Sequence, residues 1–200
     1  MNLHNCLIIF ARNPIPGKVK TRLAATIGAE RTLDIYKQLL LLTHAATTGI
    51  NCSKVVYYSD HIEANDLWNA GYKKALQQGN NLGERMSNAF DEVLKGKFSK
   101  AVIIGTDCPE LSSTIIEEAF DKLEEYDVVL GPAADGGYYL LGMKVAHPQM
   151  FSNIKWSTNT VLSQTIAVCN EFNLSYHCLA VLHDIDEESD LQYLNLQRHE

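Results

Sequence analysis

Short apolar segments alternate along the chain with longer segments of helical periodicity. The apolar segments, each rich in Val, Ile, Leu or aromatic residues, are CLIIFA (6–11), KVVYYS (54–59), KAVIIG (100–105), DVVLGP (127–132), GYYLLGM (137–143) and LSYHCLAV (174–181). Amphipathic segments lie between them near 29–48, 84–95, 112–125 and 157–171, and a short acidic one starts at 187. Continuous apolar strands separated by helices are typical of a mostly parallel sheet that is covered on both faces. The pattern therefore predicts an α/β fold, in which ligands bind beyond the carboxyl ends of the strands.

Length and composition suit one globular domain. The chain has 200 residues, of which 46% are hydrophobic, so we predict a single domain over residues 1–200. The formal net charge of -7 argues against general nucleic-acid binding, which normally needs a basic excess. No apolar run is long enough to cross a bilayer, and residues 1–9 lack the cationic start and long apolar stretch of a signal peptide. We therefore expect a cytoplasmic protein.

The cysteines carry no recognisable pattern. There are five, scattered along the chain and without C-x-x-C spacing. An odd, unpatterned set indicates neither a disulfide framework nor a structural zinc site. We expect reduced thiols that are mostly buried.

Four cations crowd the segment FARNPIPGKVKTRLAA (10–25), which follows the first predicted strand: Arg12, Lys18, Lys20 and Arg22. Proline and glycine suit a turn between a strand and a helix, but a turn does not need four positive charges. The segment matches neither G-x-x-x-x-G-K-[ST] nor G-x-G-x-x-G, so these two nucleotide-binding motifs are missing. Either the cations are solvated, or the run K-x-K-T-R places Lys18 and Arg22 one turn apart, facing a phosphate chain.

The segment TDCPEL (106–111) follows another apolar segment that we predict to be a buried strand. Its Asp107 comes at the end of that strand, two residues before a proline that blocks simple continuation, so we expect it at the open edge of the sheet. A carboxylate there suits Mg²⁺, which takes one or two carboxylates together with the phosphates of a substrate. The alternative is that Asp107 caps the next helix, although Ser112 or Ser113 is better placed for that role.

The segment GPAADGGYYLLGM (131–143) carries two adjacent glycines, Gly136 and Gly137, directly after Asp135. Such a pair indicates a hairpin or a close approach of the backbone to a ligand. The sequence leaves two roles open for Asp135, since it can pair with a substrate hydroxyl or simply close that turn.

The segment HDIDEESDL (183–191) follows the last predicted strand and offers Asp184, Asp186 and Asp190. The spacing places Asp190 in the first turn of a helix, where acidic residues interact favourably with the helix dipole. Asp186 can be the N-cap of that helix. Alternatively, one of the two earlier aspartates is a second carboxylate for a metal held by Asp107.

Taken in order, these segments resemble those of the nucleotide-diphospho-sugar transferases of the GT-A type. The order is the basic Pro/Gly loop, NNLGERM, GTDCPEL, GPAADGGYYLLGM, IKWSTNTV and DIDEESDL, which covers nearly the whole chain. The chain is similar in particular to a bacterial subgroup of uncharacterised glycosyltransferases related to phospholactate guanylyltransferase. The resemblance implies a single Rossmann-like GT-A domain with a mixed, mostly parallel sheet, helices on both faces, a bound nucleotide and a divalent metal.

The resemblance also assigns roles to individual residues. The nucleotide-binding positions that it implies are Ala11, Arg12, Gly17, Lys18, Arg22, Gly83 and Arg85, and the catalytic set is Arg12, Lys18, Arg22 and Asp107. The acceptor-binding positions are Asp135, Gly136, Gly137 and Trp156. The metal ligands are Asp107 and Asp186, but the V-D-T-P-E-D-L stretch of cytidylyltransferases reads IDEESDL here. Asp184 is therefore an alternative to Asp186, and Arg85 can instead be an ordinary surface residue in a first helical turn.

These observations together predict a transferase that depends on Mg²⁺ or Mn²⁺ and acts on a nucleotide-activated substrate. The full basic loop favours nucleotidyl transfer from a nucleoside triphosphate to a phosphorylated small-molecule acceptor. One alternative is a glycosyltransferase that uses a nucleotide-diphosphate sugar, and another is a non-catalytic, nucleotide-binding regulatory protein. The sequence does not indicate the nucleobase, the acceptor or the oligomeric state.

Overall fold

The structure, a computed structural model, describes residues 4–196. Its centre is one seven-stranded sheet with the strand order β3-β2-β1-β4-β6-β5-β7. The strands are β1 (Asn5–Ala11), β2 (Ser53–Tyr58), β3 (Tyr72–Leu76), β4 (Lys100–Ile104), β5 (Val128–Pro132), β6 (Tyr138–Met143) and β7 (Tyr176–Cys178). All neighbouring pairs are parallel except β4–β6 and β5–β6. The sheet is therefore mixed and mostly parallel, which confirms the predicted fold class.

Helices cover both faces of the sheet. They are α1 (Thr21–Ile27), α2 (Ala29–Thr48), α3 (Leu82–Leu94), α4 (Ser113–Glu125), α5 (Val161–Glu171) and α6 (Leu191–Leu196), with 3-10 turns at Pro148–Phe151 and Glu188–Asp190. Side chains alternate across a strand, so Leu7 and Ile9 of β1 pack with α2 and α4, while Ile8 packs with α3 on the other face. Between residues 4 and 196, no helix is long and apolar enough to span a membrane.

The antiparallel direction of β6 brings an additional turn to the carboxyl edge of the sheet. The parallel strands β1, β2, β4 and β5 all end at this edge. Because β6 runs back between β4 and β5, the turn that joins β5 to β6 lies at the same edge. The chain after β7 also reaches it, since Leu182 N–H donates to the carbonyl of Pro132 (3.1 Å).

Most predicted elements occur within a few residues of their expected positions. The structure adds one strand, β3, and one short helix, α1, that the pattern did not indicate. It also shortens two elements: β7 covers three residues of the predicted 174–181 segment, and α5 begins at Val161 rather than near 157. Ser112 caps α4 by accepting a hydrogen bond from Ile115 N–H (3.4 Å), so Asp107 is not needed as a helix cap.

All five cysteines are free thiols, as predicted. Four are buried and Cys178 is exposed. Burial raises the pKa of Cys6 to about 12, so this thiol remains protonated at neutral pH and acts as a small apolar side chain.

Candidate active site

A cleft of about 720 Å³ opens along the carboxyl edge of the sheet. This volume is in the range of small-molecule sites. One part, which we call the charged half, is lined by Arg12, Lys20, Arg22, Asp107, Asp184 and Asp186. Another part, the hairpin half, is lined by Asp135, Gly137, Tyr138 and residues 156–159. A third wall comes from the β2–β3 edge and the start of α3, including Gln77 and Arg85.

Lys20 lies at the centre of the charged half. Its Nζ is 2.9 Å from Oδ2 of Asp107 and 3.7 Å from Oδ1 of Asp186. The Lys20 side chain is only 5% exposed, whereas that of Asp107 is 45% exposed. The two carboxylates, 79 positions apart in sequence, therefore converge on one buried ammonium group.

Arg22 completes the charged half from the cleft rim. Its Nη2 is 2.9 Å from Oδ2 of Asp186, and its Nη1 is 3.7 Å from Oε1 of Glu187. The Arg22 side chain is 63% exposed, so solvent screens these pairs and they contribute little to folding stability. An exposed guanidinium at this position is free to contact an incoming anion.

The backbone of Lys20 explains why this lysine enters the cleft. It adopts the left-handed conformation (φ 47°, ψ 53°) directly before the first residue of α1. A left-handed conformation costs an ordinary L-residue about 1–2 kcal/mol and persists only where the surroundings enforce it. Burial of Val19 and Leu23 on either side supplies that constraint.

The segment that carries Asp184 and Asp186 is anchored by Ile185 between them. The Ile185 side chain is fully buried among Leu23, Ile35 and Leu39 of α1 and α2. Its backbone N–H donates to the carbonyl of Asp107 (2.9 Å). These two contacts fix the position of both aspartates relative to Asp107.

The helix start that follows does not use Asp186 as its cap. Glu187 is the N-cap residue of the 3-10 turn, and Oδ2 of Asp190 accepts hydrogen bonds from the backbone N–H groups of Asp186 and Glu187 (2.9 and 2.7 Å). Asp190 thus belongs to the helix start, as its spacing indicated. The side chain of Asp186 remains available to the cleft.

Asp184 is the most protected of the three carboxylates. Burial, and then the negative charge of Asp107, raise the pKa of the Asp184 carboxyl to about 7, although Lys20 acts in the opposite direction. Burial is the larger cause of this rise and the Asp107 carboxylate the second, so a cation beside these carboxylates would offset only the second cause.

Tyr36 of α2 supports the charged half from below. The Arg12 N–H donates to the Tyr36 hydroxyl (2.9 Å), and that hydroxyl donates to the Arg12 carbonyl (3.1 Å). Oγ1 of Thr106, the neighbour of Asp107, lies 3.2 Å from the Tyr36 hydroxyl oxygen. Burial raises the pKa of Tyr36 well above its usual range, so the hydroxyl stays protonated and ties the end of β1 to the end of β4.

The hairpin half is shaped by two close approaches at glycines. Gly136 has a φ of +88°, and a Cβ there would lie 2.1 Å from the carbonyl oxygen of Asn159. A Cβ on Gly83 would lie 2.5 Å from Nε1 of Trp156. Asp135 closes the turn, because its Oδ1 accepts a hydrogen bond from Gly137 N–H (2.8 Å). The described residues that line this half include no Lys, Arg or His.

The third wall holds Arg85 and Gln77 in place. Arg85 Nε donates to the Gly79 carbonyl (3.1 Å), and its Nη1 lies 3.5 Å from Oε1 of Gln77. The Gln77 amide donates to the carbonyl of Tyr57 (3.0 Å). Arg85 is thus fixed in the cleft wall rather than freely solvated.

The structure brings most of the sequence-predicted residues to the cleft. Those that line it are Ala11, Arg12, Arg22, Arg85, Asp107, Asp135, Gly137, Trp156 and Asp186. Lys18 and Gly17 do not line it and are exposed, because the turn before α1 directs Lys20 into the cleft instead. Gly83 and Gly136 do not line it either, but they support it through the contacts with Trp156 and Asn159.

Sequence reasoning did not assign roles to Lys20, Tyr36 or Gln77. Lys20 stands in the same basic run as Lys18, and the sequence does not mark the left-handed backbone at Lys20. The sequence contains no local signal for Tyr36, which acts from a helix that begins 18 residues after Ala11.

The donor set of the charged half fits a hard divalent cation that the substrate helps to bind. Carboxylate oxygens are the ligands that Mg²⁺ prefers in proteins, and Asp107, Asp184 and Asp186 all line this half of the cleft. In the described part of the chain, however, no group of three or more His, Cys, Asp or Glu side chains is arranged to hold a metal ion alone. The cation would need additional oxygen ligands from a substrate.

Comparisons with known proteins bear on the family and the fold of the chain. A family model described as an uncharacterized protein conserved in bacteria (DUF2064) matches residues 42–158. A search of functionally curated proteins found no match. The chain is 27% identical to a Desulfovibrio desulfuricans G20 protein provisionally described as a nucleotide-diphospho-sugar transferase. That likeness has a TM-score of 0.91 and covers 98% of this chain and 88% of that one.

Two more distant structures share the fold. The 4-diphosphocytidyl-2C-methyl-D-erythritol synthase of Anaerococcus prevotii DSM 20548 is 11% identical, with a TM-score of 0.60 over 98% of this chain and 97% of that one. A manganese complex of Rv0371C from Mycobacterium tuberculosis H37Rv is 10% identical, with a TM-score of 0.55 over 96% and 97% of the two chains. The chain therefore belongs to the DUF2064 family of bacterial proteins and has the predicted fold of the nucleotide-diphospho-sugar transferase superfamily.

Proposed function

We propose that the chain is a transferase that depends on Mg²⁺ or Mn²⁺, acts on a nucleotide-activated small molecule and works as a single domain. The observation that carries this proposal is the convergence of Asp107 and Asp186 on Lys20, with Arg22 beside them. Carboxylates and cations in one cleft can hold a metal–phosphate complex, since the carboxylates bind the metal and the cations bind the phosphate oxygens. A structural ion-pair network would not need a cleft of nucleotide size.

Nucleotidyl transfer from a nucleoside triphosphate is our first candidate reaction. An oxygen of the acceptor phosphate attacks the α-phosphorus and forms a new P–O bond, while the bond between the α-phosphorus and the bridging oxygen breaks and pyrophosphate leaves. This reaction needs positioning and charge neutralisation more than acid–base chemistry. Arg12, Lys20 and Arg22 would neutralise the leaving pyrophosphate, with Lys20 in the role that the sequence suggested for Lys18.

Asp107 and Asp186 would hold the metal, and Asp184 lines the same half of the cleft. When bound, such an ion neutralises phosphate charge and aligns the reacting oxygens. The fold shared with a diphosphocytidyl-methylerythritol synthase and with a manganese-binding protein supports both parts of this proposal.

Glycosyl transfer from a nucleotide-diphosphate sugar is the second candidate. It is favoured by one observation, the absence of Lys, Arg and His among the described residues that line the hairpin half. Asp135 and Trp156 there suit a hydroxylated molecule with an apolar face. The likeness to a protein provisionally described as a nucleotide-diphospho-sugar transferase also favours this candidate.

The leaving group distinguishes these candidates. The protein should be incubated with each of the four nucleoside triphosphates and a panel of phosphorylated acceptors, with and without Mg²⁺, and pyrophosphate release measured. A parallel series should use nucleotide-diphosphate sugars with hydroxylated acceptors, and nucleoside diphosphate release measured. Metal-dependent release in either series supports the transferase. Nucleotide binding without turnover in both series would instead indicate a non-catalytic, nucleotide-binding regulatory protein.

A further inference from the structure

The buried ammonium of Lys20 already neutralises the carboxylates that the proposed function assigns to the metal. Nζ of Lys20 lies 2.9 Å from Oδ2 of Asp107 and 3.7 Å from Oδ1 of Asp186. Two positive ions cannot share one pair of carboxylates at such distances without strong mutual repulsion. A divalent cation that enters this part of the cleft must therefore compete with Lys20.

The charged half offers a metal too few ligands to compensate for the displacement of Lys20. The described residues do not provide three or more side chains arranged to hold a metal ion. A displaced Lys20 would also lose its carboxylate partner while its side chain is almost completely buried, and an unpaired buried charge is strongly unfavourable. Binding of a metal alone should therefore be weak.

A polyphosphate chain changes both the number of ligands for the metal and the partner available to Lys20. Its oxygens supply the missing metal ligands, and they give Lys20 a new anionic partner. The lysine then exchanges a carboxylate for a phosphate, and the carboxylate becomes available to the metal. Neither ligand alone allows this exchange to be completed.

We propose that Lys20 makes metal binding and polyphosphate binding interdependent: it blocks the carboxylates until a polyphosphate takes over its charge. This inference rests on the proposed function, since it concerns the same metal and the same nucleotide. Coupling of this kind is reciprocal, so the metal must strengthen polyphosphate binding by the same factor. The protein would then remain without metal until the activated substrate arrives.

Lys20, and not Arg22, carries the block because of burial. The Lys20 side chain is 5% exposed and lies between both carboxylates, whereas the Arg22 side chain is 63% exposed and also pairs with Glu187. Arg22 can turn into solvent at small cost. The buried Lys20 side chain cannot turn into solvent in this way, so removing it should free the carboxylates of Asp107 and Asp186 for a metal ion.

The test is a binding measurement that does not require turnover. Lys20→Met removes the charge at similar length without adding an oxygen ligand, and Lys20→Gly serves as a second variant because Gly tolerates the left-handed backbone and also adds no ligand. Lys37→Met, at an exposed position on α2, is the matched control. Mn²⁺ is titrated calorimetrically into each protein without and with saturating inorganic tripolyphosphate, after circular dichroism has shown that each variant is folded.

We expect wild type and Lys37→Met to bind Mn²⁺ alone weakly and to bind it at least about tenfold more tightly with tripolyphosphate. The Lys20 variants should bind Mn²⁺ alone at least about tenfold more tightly than wild type and should gain less from tripolyphosphate than wild type does, because only the metal–phosphate contacts still link the two ligands. Because Mn²⁺ and tripolyphosphate form the same complex in solution in every experiment, a difference between variants is due to the protein.

Two results would overturn the inference and leave the proposed function intact. In one, wild type binds Mn²⁺ equally tightly with and without tripolyphosphate; in the other, both folded Lys20 variants bind Mn²⁺ alone no more tightly than wild type. If wild type binds neither tripolyphosphate nor any nucleoside triphosphate in the presence of Mn²⁺, the proposed function fails and the inference fails with it.

Discussion

The two halves of the cleft are built by different means. In the charged half, the side chains are paired with each other, as in the contacts of Lys20 with Asp107 and of Arg22 with Asp186. In the hairpin half, the shape is set by backbone contacts at Gly136 and by the packing of Trp156 on α3. Ion pairs can exchange partners when a charged ligand arrives, whereas a packed backbone cannot. Under the proposed function, the first half would hold the activated nucleotide, and the second would select an acceptor by shape and hydroxyl groups.

The largest effect should come from Asp107→Asn. A neutral amide of the same size is a poor ligand for Mg²⁺, so we expect the turnover number to fall at least about a hundredfold at saturating Mg²⁺. Thermal unfolding monitored by circular dichroism should show that the variant is folded. Asp121→Asn, at an exposed position on α4, is the matched control and should retain activity. Unchanged turnover in Asp107→Asn would remove the metal from the proposed mechanism.

Lys20→Ala and Lys18→Ala should differ although the two lysines are neighbours in the same loop. Removing a charge-assisted hydrogen bond to phosphate costs about 1.5–3 kcal/mol, so Lys20→Ala should weaken tripolyphosphate binding in the presence of Mg²⁺ by roughly 10- to 100-fold. Lys18 is exposed and does not line the cleft, so its removal should change the affinity less than about twofold. Equal losses in both variants would show that the loop acts as a diffuse basic surface and not through one buried lysine.

Asp135→Asn tests whether the hairpin half serves the acceptor. Asn retains a side-chain oxygen for Gly137 N–H, so the turn should persist while the negative charge is lost. We expect the KM for the acceptor to rise by roughly three- to tenfold, as for loss of one charged hydrogen bond to a hydroxyl at an exposed site. Nucleotide affinity should not change. A loss of nucleotide affinity with an unchanged acceptor KM would reverse the assignment of the two halves.

The smallest effect should come from a carboxylate outside the cleft. Hydrogen bonds from the Ser175 hydroxyl and backbone N–H (2.6 and 3.0 Å) lower the pKa of Asp127. A depressed carboxyl pKa stabilises the fold above the unfolded-state pKa of about 3.9, and this contribution disappears as pH falls through the folded-state pKa. Ser175→Ala should therefore cost about 0.5–1 kcal/mol of unfolding free energy at pH 7, and less at acid pH.

Urea unfolding of wild type and Ser175→Ala at several pH values would measure that difference. Neither tripolyphosphate binding nor acceptor KM should move, because Asp127 lies outside both halves of the cleft. A difference in unfolding free energy that grows as pH falls would contradict the assigned role of the Asp127 carboxylate.

The sequence was sufficient for the parallel core because buried strands and amphipathic helices have strong local patterns. The strand β3 escaped prediction because Lys73 and Lys74 interrupt its apolar pattern, as is common for a strand that pairs on one side only. The helix α1 is seven residues long, too short for its periodicity to stand out from the loop before it.

Site residues that closely follow a strand could be predicted from the sequence. Residues whose position depends on one backbone conformation or on helix packing could not. Asp107 and Arg12 follow β4 and β1 closely, so the rule for parallel sheets locates them. The choice of Lys20 over Lys18 depends on one left-handed residue that the sequence does not mark. Tyr36 depends on how α2 packs across the sheet, which is a tertiary property.

The antiparallel course of β6 has a consequence for protein engineering. The turn between β5 and β6 closes an antiparallel ladder that shifts register between Gly131 and Pro132, so residues inserted in pairs beyond that shift can lengthen both strands and keep each side chain on its original face. An insertion between Ala11 and Lys20, by contrast, would shift the ammonium away from Asp107. Acceptor preference should therefore be the property of this scaffold that loop grafting can alter independently, while nucleotide handling is preserved.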